Sequence, residues 1–569
     1  MRLEAPEGEM DEMKPVNIPV GSSDFAEIRQ MGYYYIDKTG LIDELMRTPS
    51  TKVTLITRPR RFGKTLGLSM MAEFFDIRKD SRPLFDGLSV SENKELCQAW
   101  MNQYPTVFVS FREIQGPDYK TAYSRLNSVI SELYNSCYYL MGSDKFTTHE
   151  KAAFDRIAGK NATADEVESG LLRLTKMMSI YYSKPVILLI DEYDVPLAKA
   201  NAKGYYSEML DTVRRILSAL KDNPFLSFAV VTGCLQIVKE SIITGTNNFV
   251  TDTISDTRLD EYFGFTQADV DKILGDTGLT SHGDEIKDWY DGYHFGGQDV
   301  YCPWDVMNHV KNLLLNPDTA PASYWEHPSH NDIIYQFIST TESDVNDKFE
   351  TLLSGGYIIE PIEPSLTYDV LHSSERNIWT LLYFTGYLTR MRPEDIPETP
   401  ADGALALTIP NAELRVLFQK SVREWFLAKT ELSNRSELFD ALWSGDAERL
   451  QDYISDTLFD TISYHDYQES FYHAFLAGLL SRKGYKVDSN YENGLGRSDL
   501  VVKDRKNRRA VVIETKITDS ESKLAAACDD ALRQIHKKQY AAAVRKAGYQ
   551  QVISFGIAFY QKQCSVKRA

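Results

Sequence analysis

The stretch Lys52-Val53-Thr54-Leu55-Ile56-Thr57-Arg58-Pro59-Arg60-Arg61-Phe62-Gly63-Lys64-Thr65 decides how the chain is read. Residues 52–57 have the composition of a buried strand. They run through a Gly-Lys-Thr turn into an apolar-periodic segment, 66–75, predicted as a helix. A phosphate-binding loop needs that context. Backbone N–H groups freed by the turn point at an anion, and the helix N-terminus adds positive potential. Lys64, beside Gly63, would reach the β- and γ-phosphates of a nucleotide, and the Thr65 hydroxyl would join an Mg2+ shell. Arg60 and Arg61 stand in the same turn and read equally as phosphate contacts or as a solvated basic turn. One position departs from the usual pattern: Arg58 takes the place of the first glycine.

A second segment supplies the other half of such a site. Val186-Ile187-Leu188-Leu189-Ile190-Asp191-Glu192 is an apolar strand ending in two acids. Asp191 would hold the metal shell, and Glu192 would orient or deprotonate an attacking water. Further apolar runs at 106–111 and 226–232, with helical patterns between them such as 211–220, give alternating strands and helices. That alternation predicts an α/β fold with a parallel sheet and helices on both faces.

Composition bounds the rest. The chain has 569 residues, 43% hydrophobic and 25% charged, with 32 Gly and 21 Pro. These shares exclude collagen-like and low-complexity classes. The length corresponds to about three or four structural units. No apolar run approaches the roughly 20 residues of a membrane span, so no membrane partner is expected. The six cysteines form no CxxC pair. Neither a disulfide framework nor a zinc site is expected, and a reducing cytoplasm fits. The first 17 residues, rich in Glu, Met and Pro, read as a loose leader.

The last hundred residues have their own pattern. Helical periodicity over 468–480 is followed by strand-like 485–492, a hairpin signal at Asn493-Gly494, strands at 496–503 and 510–517, a long helix at 521–546 and a strand at 551–560, the order αβββαβ. Asp499 opens the apolar run of the second strand. Glu514 and Lys516 are two apart on the third and share a face. Burying both there costs free energy unless they are partnered, and a divalent cation shared by Asp499 and Glu514 offsets that cost. Lys516 would then position or activate a water that attacks a phosphodiester. Glu469, in the first helix, would complete the metal shell, and Gln534, on the long helix, would touch the site or the scissile phosphate. The alternative, an exposed Glu514–Lys516 ion pair, fits poorly with the flanking Val511-Val512-Ile513 and Ile517.

Resemblance adds to this. Ile18-Pro19-Val20-Gly21, Tyr35-Ile36-Asp37-Lys38-Thr39, Arg58-Pro59-Arg60-Arg61-Phe62-Gly63-Lys64-Thr65 and Asp191-Glu192-Tyr193-Asp194-Val195-Pro196-Leu197 together look like the bacterial AAA-ATPase-like family, whose members share the RPRRFGK turn. Trp289-Tyr290-Asp291-Gly292-Tyr293, Pro303-Trp304, Tyr324-Trp325 and Ile409-Pro410-Asn411 match as well. The resemblance implies ATP and Mg2+ as cofactors and a γ-phosphate-sensing polar residue at the end of the third strand, here Thr232. Relatives often carry Arg where this chain has Gln236, which would weaken hydrolysis if that Arg contacts phosphate. The C-terminal pattern resembles the PD-(D/E)xK nuclease superfamily, with Glu469, Asp499, Glu514, Lys516 and Gln534 at the matching positions; Asp499 follows Ser498 in place of the motif's proline.

Two roles stay open for the accessory motifs. Asp37-Lys38-Thr39, with Phe25 and Ile28, reads as an adenine pocket or as ordinary packing. The aromatic turn at 289–294 reads as a base-stacking platform or, more readily, as a structural turn. His294 has no evident partner and no catalytic role.

The expected organisation is a leader (1–17), a P-loop AAA-like domain (18–265), a helical, aromatic-rich middle region (266–400), a helical connector (401–460) and a restriction-endonuclease-like module (461–569). The formal net charge of −18 conceals an asymmetry: from residue 501 onward there are 15 Lys and Arg against 6 Asp and Glu. Nucleic acid, with DNA as the first candidate, is therefore expected at the C-terminal module; the charge does not separate DNA from RNA, and a homo-oligomer is left open. The expected activity is ATP binding and hydrolysis coupled to Mg2+-dependent cleavage of nucleic acid. The alternative is a nucleotide-dependent switch whose C-terminal fold grips DNA or a partner without cutting. A helicase-like motor ranks last, because no second ATPase core is visible.

Overall fold

The computed structural model describes residues 16–48, 50–237, 249–325, 348–349, 351–364, 366–368, 375–397, 400–401, 403–421, 435–459, 469–481, 484–493 and 496–569. It divides into two compact units, Met1–Trp325 with Ile359–Leu414, and Glu326–Ile358 with Arg415–Ala569.

The first unit is built on β1 (Val53–Thr57), β2 (Thr106–Ser110), β3 (Val186–Asp191), β4 (Leu226–Gly233) and β5 (Phe249–Asp252). Their order is β2-β3-β4-β1-β5, and every pairing is parallel. β1 and β3 are buried at every position, as happens when both faces of a parallel sheet are covered. The helix Lys64–Phe75 lays Leu68, Met71, Phe74 and Phe75 into one core with Ile187, Leu189 and Val230 of the strands. β1 to β4 all end on the same edge, at Thr57, Ser110, Asp191 and Gly233, and that edge is where open α/β sheets bind ligands. β5 escaped the sequence pattern. Phe-Val-Thr-Asp is short and largely half-buried, so it carries no apolar run.

Beyond the sheet the unit turns helical, as expected: Gln267–Thr277, Gly283–Tyr290, Pro303–Leu315 and Glu375–Thr385. A hairpin of β6 (Tyr293–Phe295) and β7 (Gln298–Val300) interrupts them, and β8 (Ile358–Pro361), β9 (Thr389–Arg390) and β10 (Ala404–Thr408) form a small sheet ordered β8-β10-β9. No helix among the described residues is long and apolar enough to cross a membrane.

The second unit carries β11 (Lys486–Asn493), β12 (Gly496–Asp504), β13 (Arg509–Ile517), β14 (Gln551–Tyr560) and β15 (Gln563–Arg568), paired in that order. Only β13–β14 is parallel, and helices cross between them. This extends the expected αβββαβ by one strand. β15 returns through a tight turn in which Gln561 takes a left-handed φ of 52°. The expected single helix 521–546 is two, Leu524–Lys537 and Tyr540–Lys546, because Gln539 adopts a left-handed φ of 58° between them.

Within the helical connector expected over 401–460 lie two helices, Ser436–Ser444 and Ala447–Phe459, broken at Gly445. These connector helices are tied to the sheet. Arg568 donates to the Ser444 and Gly445 carbonyls, Gln451 Oε1 accepts from Val566 N at 3.0 Å, and Arg509 lies 4.3 Å over the Trp443 ring.

Candidate functional site

The loop after β1 turns on two left-handed residues, Arg61 (φ 72°) and Gly63 (φ 82°), before the helix begins at Lys64. Lys64 Nζ is buried and donates to the carbonyls of Arg58 (2.8 Å) and Pro59 (2.7 Å). Across the strand ends, Asp191 is fully buried and collects hydroxyls: Thr65 Oγ1 at 2.9 Å and Ser110 Oγ at 3.3 Å on Oδ2, and Thr232 Oγ1 at 2.7 Å on Oδ1. Lys64, Thr65, Asp191 and Thr232 therefore converge. Ser110 joins them from β2 and was missed, since one serine closing a strand carries no signal. The next residue, Glu192, has a left-handed φ of 51°. Burial, with Asp191 as neighbour, raises its carboxyl above the ordinary range. Hydroxyl and carboxylate oxygens at a helix N-terminus are hard ligands suited to Mg2+, and the space a Cβ on Gly63 would fill is open. The residues fit a Mg2+–nucleotide.

Arg58 has a structural task. It is fully buried and pairs with Asp252 of β5 at 2.6 Å, and it also donates to the Thr57 and Asp252 carbonyls. Burial lowers the Arg58 pKa and raises that of Asp252, so desolvation outweighs the attraction at both partners. The side chain in place of the missing glycine thus fastens the edge strand to β1. Tyr193 and Asp194 clamp the turn after β4: Asp194 Oδ2 accepts from Cys234 N and Leu235 N, and the Tyr193 hydroxyl accepts from Ile237 N. Gln236 Nε2 donates to Thr251 Oγ1 at 3.2 Å.

Arg61 points elsewhere. Its guanidinium donates to the Tyr324 carbonyl and lies 5.3 Å from the Trp304 ring and 5.6 Å from the Trp325 ring. This cage is braced by two buried acids. Asp305 Oδ2 accepts from Trp325 Nε1 at 2.9 Å. Glu413 Oε1 accepts from Tyr324 N, from Trp325 N at 2.9 Å and from Ser323 Oγ at 3.2 Å. The Pro303-Trp304 and Tyr324-Trp325 motifs, far from Arg61 in sequence, meet here, with Glu413 supplied from just after Ile409-Pro410-Asn411.

The other motifs prove architectural. Asp37 caps Thr39 and Ser89, Lys38 pairs with Asp269 at 2.6 Å, and Phe25 and Ile28 are core residues. Packing, and not an adenine pocket, describes them. Tyr290 and Tyr293 are buried and donate to the Ala322 and Gly386 carbonyls. His294 does have an acidic partner: its Nδ1 lies 2.8 Å from Asp299 Oδ1, and Asp299 also pairs with Arg392.

In the second unit the register that pairs Leu500 with Ile513 sets Asp499 beside Glu514. Glu514 is 1% exposed. Its Oε1 accepts from Gln534 Nε2 and lies 3.6 Å from Lys516 Nζ, while its Oε2 is buried without a hydrogen-bond partner. Burial first, and then Asp499, push Glu514 up to about 7. Asp499 Oδ2 accepts from Thr515 N and Oγ1, both at 2.7 Å, so Thr515 orients it. Thr515 was also missed, hidden between the two motif residues. Glu469 begins the helix Glu469–Leu479, but its side chain lies outside the described residues. No group of three or more metal-binding side chains occurs among the described residues. The unpartnered Oε2 next to a second carboxylate fits one oxygen-liganded divalent cation.

Residues 19–243 match the family model described as predicted AAA-ATPase, and residues 467–569 match that of the PD-(D/E)XK nuclease superfamily. An uncharacterized protein in the vnfD 5′ region of Azotobacter chroococcum mcd 1 is 26% identical over 567 residues, covering 97% of this chain and 98% of that protein. Among solved structures, the Aeropyrum pernix ORC2 protein in its ADPNP–ADP complexes is similar with a TM-score of 0.21 and 11% identity, over 73% of this chain and 97% of that one. Domains of the two matched kinds generally use a nucleotide and a divalent metal. The chain thus joins an AAA-ATPase-like domain, within residues 19–243, to a domain of the PD-(D/E)XK nuclease superfamily, within residues 467–569.

Proposed function

We propose that the protein binds and hydrolyses ATP at the carboxyl edge of the first sheet, and that its second unit cleaves nucleic acid, DNA in the first instance, with Mg2+. The observation that carries this reading is a pair of buried carboxylates. Asp191 is ringed by the hydroxyls of Thr65, Thr232 and Ser110, and Glu514 has one oxygen held by Gln534 and the other unpartnered.

In the first unit Lys64 leaves its two loop carbonyls for the phosphates, Thr65 and Asp191 hold the Mg2+ shell, Thr232 reads the γ-phosphate, and Glu192 takes a proton from the attacking water. In the second unit Asp499 and Glu514 hold the metal, with Glu469 as a further ligand. Lys516 positions the attacking water, and Gln534 fixes the Glu514 carboxylate. Bound Mg2+ would neutralise phosphate charge and stabilise the developing oxyanion.

The test is titration of the full chain with labelled duplex DNA, with and without ATP and Mg2+, beside Lys64→Ala and Glu514→Ala. Lys64→Ala should abolish nucleotide binding, and Glu514→Ala should abolish cutting. Cutting untouched by Glu514→Ala sinks the nuclease assignment; cutting untouched by Lys64→Ala sinks the coupling. Gln236 favours a second reading, a switch with slow turnover, because its neutral amide bonds Thr251 and supplies no charge to a phosphate. Tight ATP binding with negligible hydrolysis and no metal-dependent cutting would support it.

A further inference from the structure

We propose that Arg61 and its aromatic cage carry the nucleotide state of the phosphate-binding loop to two of the places where the chain leaves the first unit. The inference rests on the reading of that loop as an ATP site. Trp325 is the last residue of the first unit before the chain passes into the second, and Leu414 is the last before it passes there again. Glu413, next to Leu414, accepts hydrogen bonds from the backbone of Tyr324 and Trp325, so one exit is pinned to the other. Arg61 fills the space between Trp304 and Trp325 and donates to the Tyr324 carbonyl. One side chain of the loop therefore holds both exits.

The hold is of a kind that a nucleotide can compete with. A guanidinium over two indoles, with one carbonyl acceptor and the Asp305 carboxyl nearby but not hydrogen-bonded to it, makes none of the charge-assisted, bidentate bonds that a phosphate offers. Arg61 is half-buried and only two residues before Gly63, so a rotation of its side chain is what would bring it to an incoming polyphosphate. When it turns, the Tyr324 carbonyl keeps only the longer bond from Trp304 Nε1 (3.4 Å), and Trp325 loses the guanidinium while still packing edge-on against Tyr387. Asp305 and Glu413, with Asn312 on the Tyr324 hydroxyl at 3.0 Å, are left to brace residues 323–325 without the cation. Arg61 is thus a positioning residue that links loop occupancy to the exits.

Hydrogen exchange of the full chain tests this, with and without ATP and Mg2+, beside calorimetry of ATP binding. Nucleotide should speed exchange in peptides spanning 316–325 and 409–418 about tenfold, the change expected when one local brace is lost. Arg61→Ala should exchange fast there without nucleotide and respond no further. Arg61→Lys, which keeps a cation over the rings, should retain part of the response. If Arg61→Ala does not fold, Trp304→Phe takes its place and should show faster basal exchange with a smaller response. Binding heat with unchanged exchange in both peptides overturns this inference alone. Absence of binding heat, with Lys64→Ala identical to the unaltered chain, overturns the nucleotide reading and this inference with it.

Discussion

Asp305 and Glu413 face each other in the interior of the first unit, and Asp305 Oδ1 and Glu413 Oε2 are both buried without a hydrogen-bond partner, an arrangement that favours one proton held between the two acids. Burial raises both carboxyls, and the facing acid adds to the effect on Glu413, which is pushed up to about 9. Between the ordinary carboxylate range and that value the folded chain binds more protons than the unfolded chain. Unfolding then releases protons, so stability falls as pH rises through the window and levels off above about 9. Melting temperatures at pH 6, 7.5 and 9 should show this decline. Glu413→Gln should flatten it, since the amide can donate to Asp305 and still accept from Tyr324 N and Trp325 N. Equal slopes in the two proteins would show that the pair does not share a proton.

Arg58→Gly would restore the usual glycine of the phosphate-binding loop, yet it should harm the protein. It removes one partner of a fully buried ion pair and leaves Asp252 uncompensated at the edge strand. Breaking such a pair costs about 3–5 kcal/mol, whereas replacing both partners with apolar side chains is close to neutral. Urea unfolding of Arg58→Gly and of the double variant Arg58→Met/Asp252→Leu should show that contrast. A stable Arg58→Gly protein with tighter ATP binding would mean that the arginine is an obstacle and not a fastening.

The sequence exposed β1, β3, β4 and the β12–β13 pair because each carries an apolar run bounded by a motif or a turn signal. Asp191, Thr65 and Thr232 sit at fixed places relative to those runs and lie within hydrogen-bond reach in the first unit, and Glu514 and Lys516, two apart on one strand, lie 3.6 Å apart in the second. What stayed hidden has no local signature. The break at Gln539 involves neither Gly nor Pro, and a continuous helix was the natural reading. The Arg61 cage draws on Trp304, Tyr324, Trp325 and Glu413, residues joined only by long-range packing. His294 found Asp299 because a hairpin turns them face to face. Periodicity reports which face of an element is buried and says nothing about which distant element covers it.

Glu514→Gln should separate fold from chemistry. The carboxylate is buried with one oxygen unpartnered, so its charge is a burden on the folded state when no metal is bound. The amide should keep a hydrogen bond to Gln534 and leave the melting temperature of metal-free protein unchanged or higher. Metal-dependent cleavage should drop at least about 100-fold, the scale reached when even the supports of a metal ligand are lost. A melting temperature several degrees lower would make Glu514 a structural acid first.

Glycine replaced by alanine should act in opposite directions at two places in the first unit. Gly292 has φ +108°, and a Cβ there would stand 1.9 Å from the Pro410 carbonyl oxygen and 2.8 Å from its carbonyl carbon. Those atoms are backbone, so relief requires moving the chain at 409–411. Asn411 Oδ1 accepts from Leu414 N at 3.0 Å and starts the helical turn that carries Glu413, so the disturbance passes directly to the Arg61 cage. Left-handed strain and a backbone clash together should cost about 3 kcal/mol or more. Gly275 is interior to the helix Gln267–Thr277, and a Cβ there meets nothing within 4 Å. Gly275→Ala should therefore stabilise by up to about 1 kcal/mol. Thermal unfolding of both variants, read with ATP affinity, checks the pair. Gly292→Ala should lose stability with ATP affinity unchanged or tighter, since a loosened cage competes less for Arg61, and Gly275→Ala should gain stability with binding unchanged. A benign Gly292→Ala would mean that the turn at 289–293 and the segment at 409–411 do not need each other.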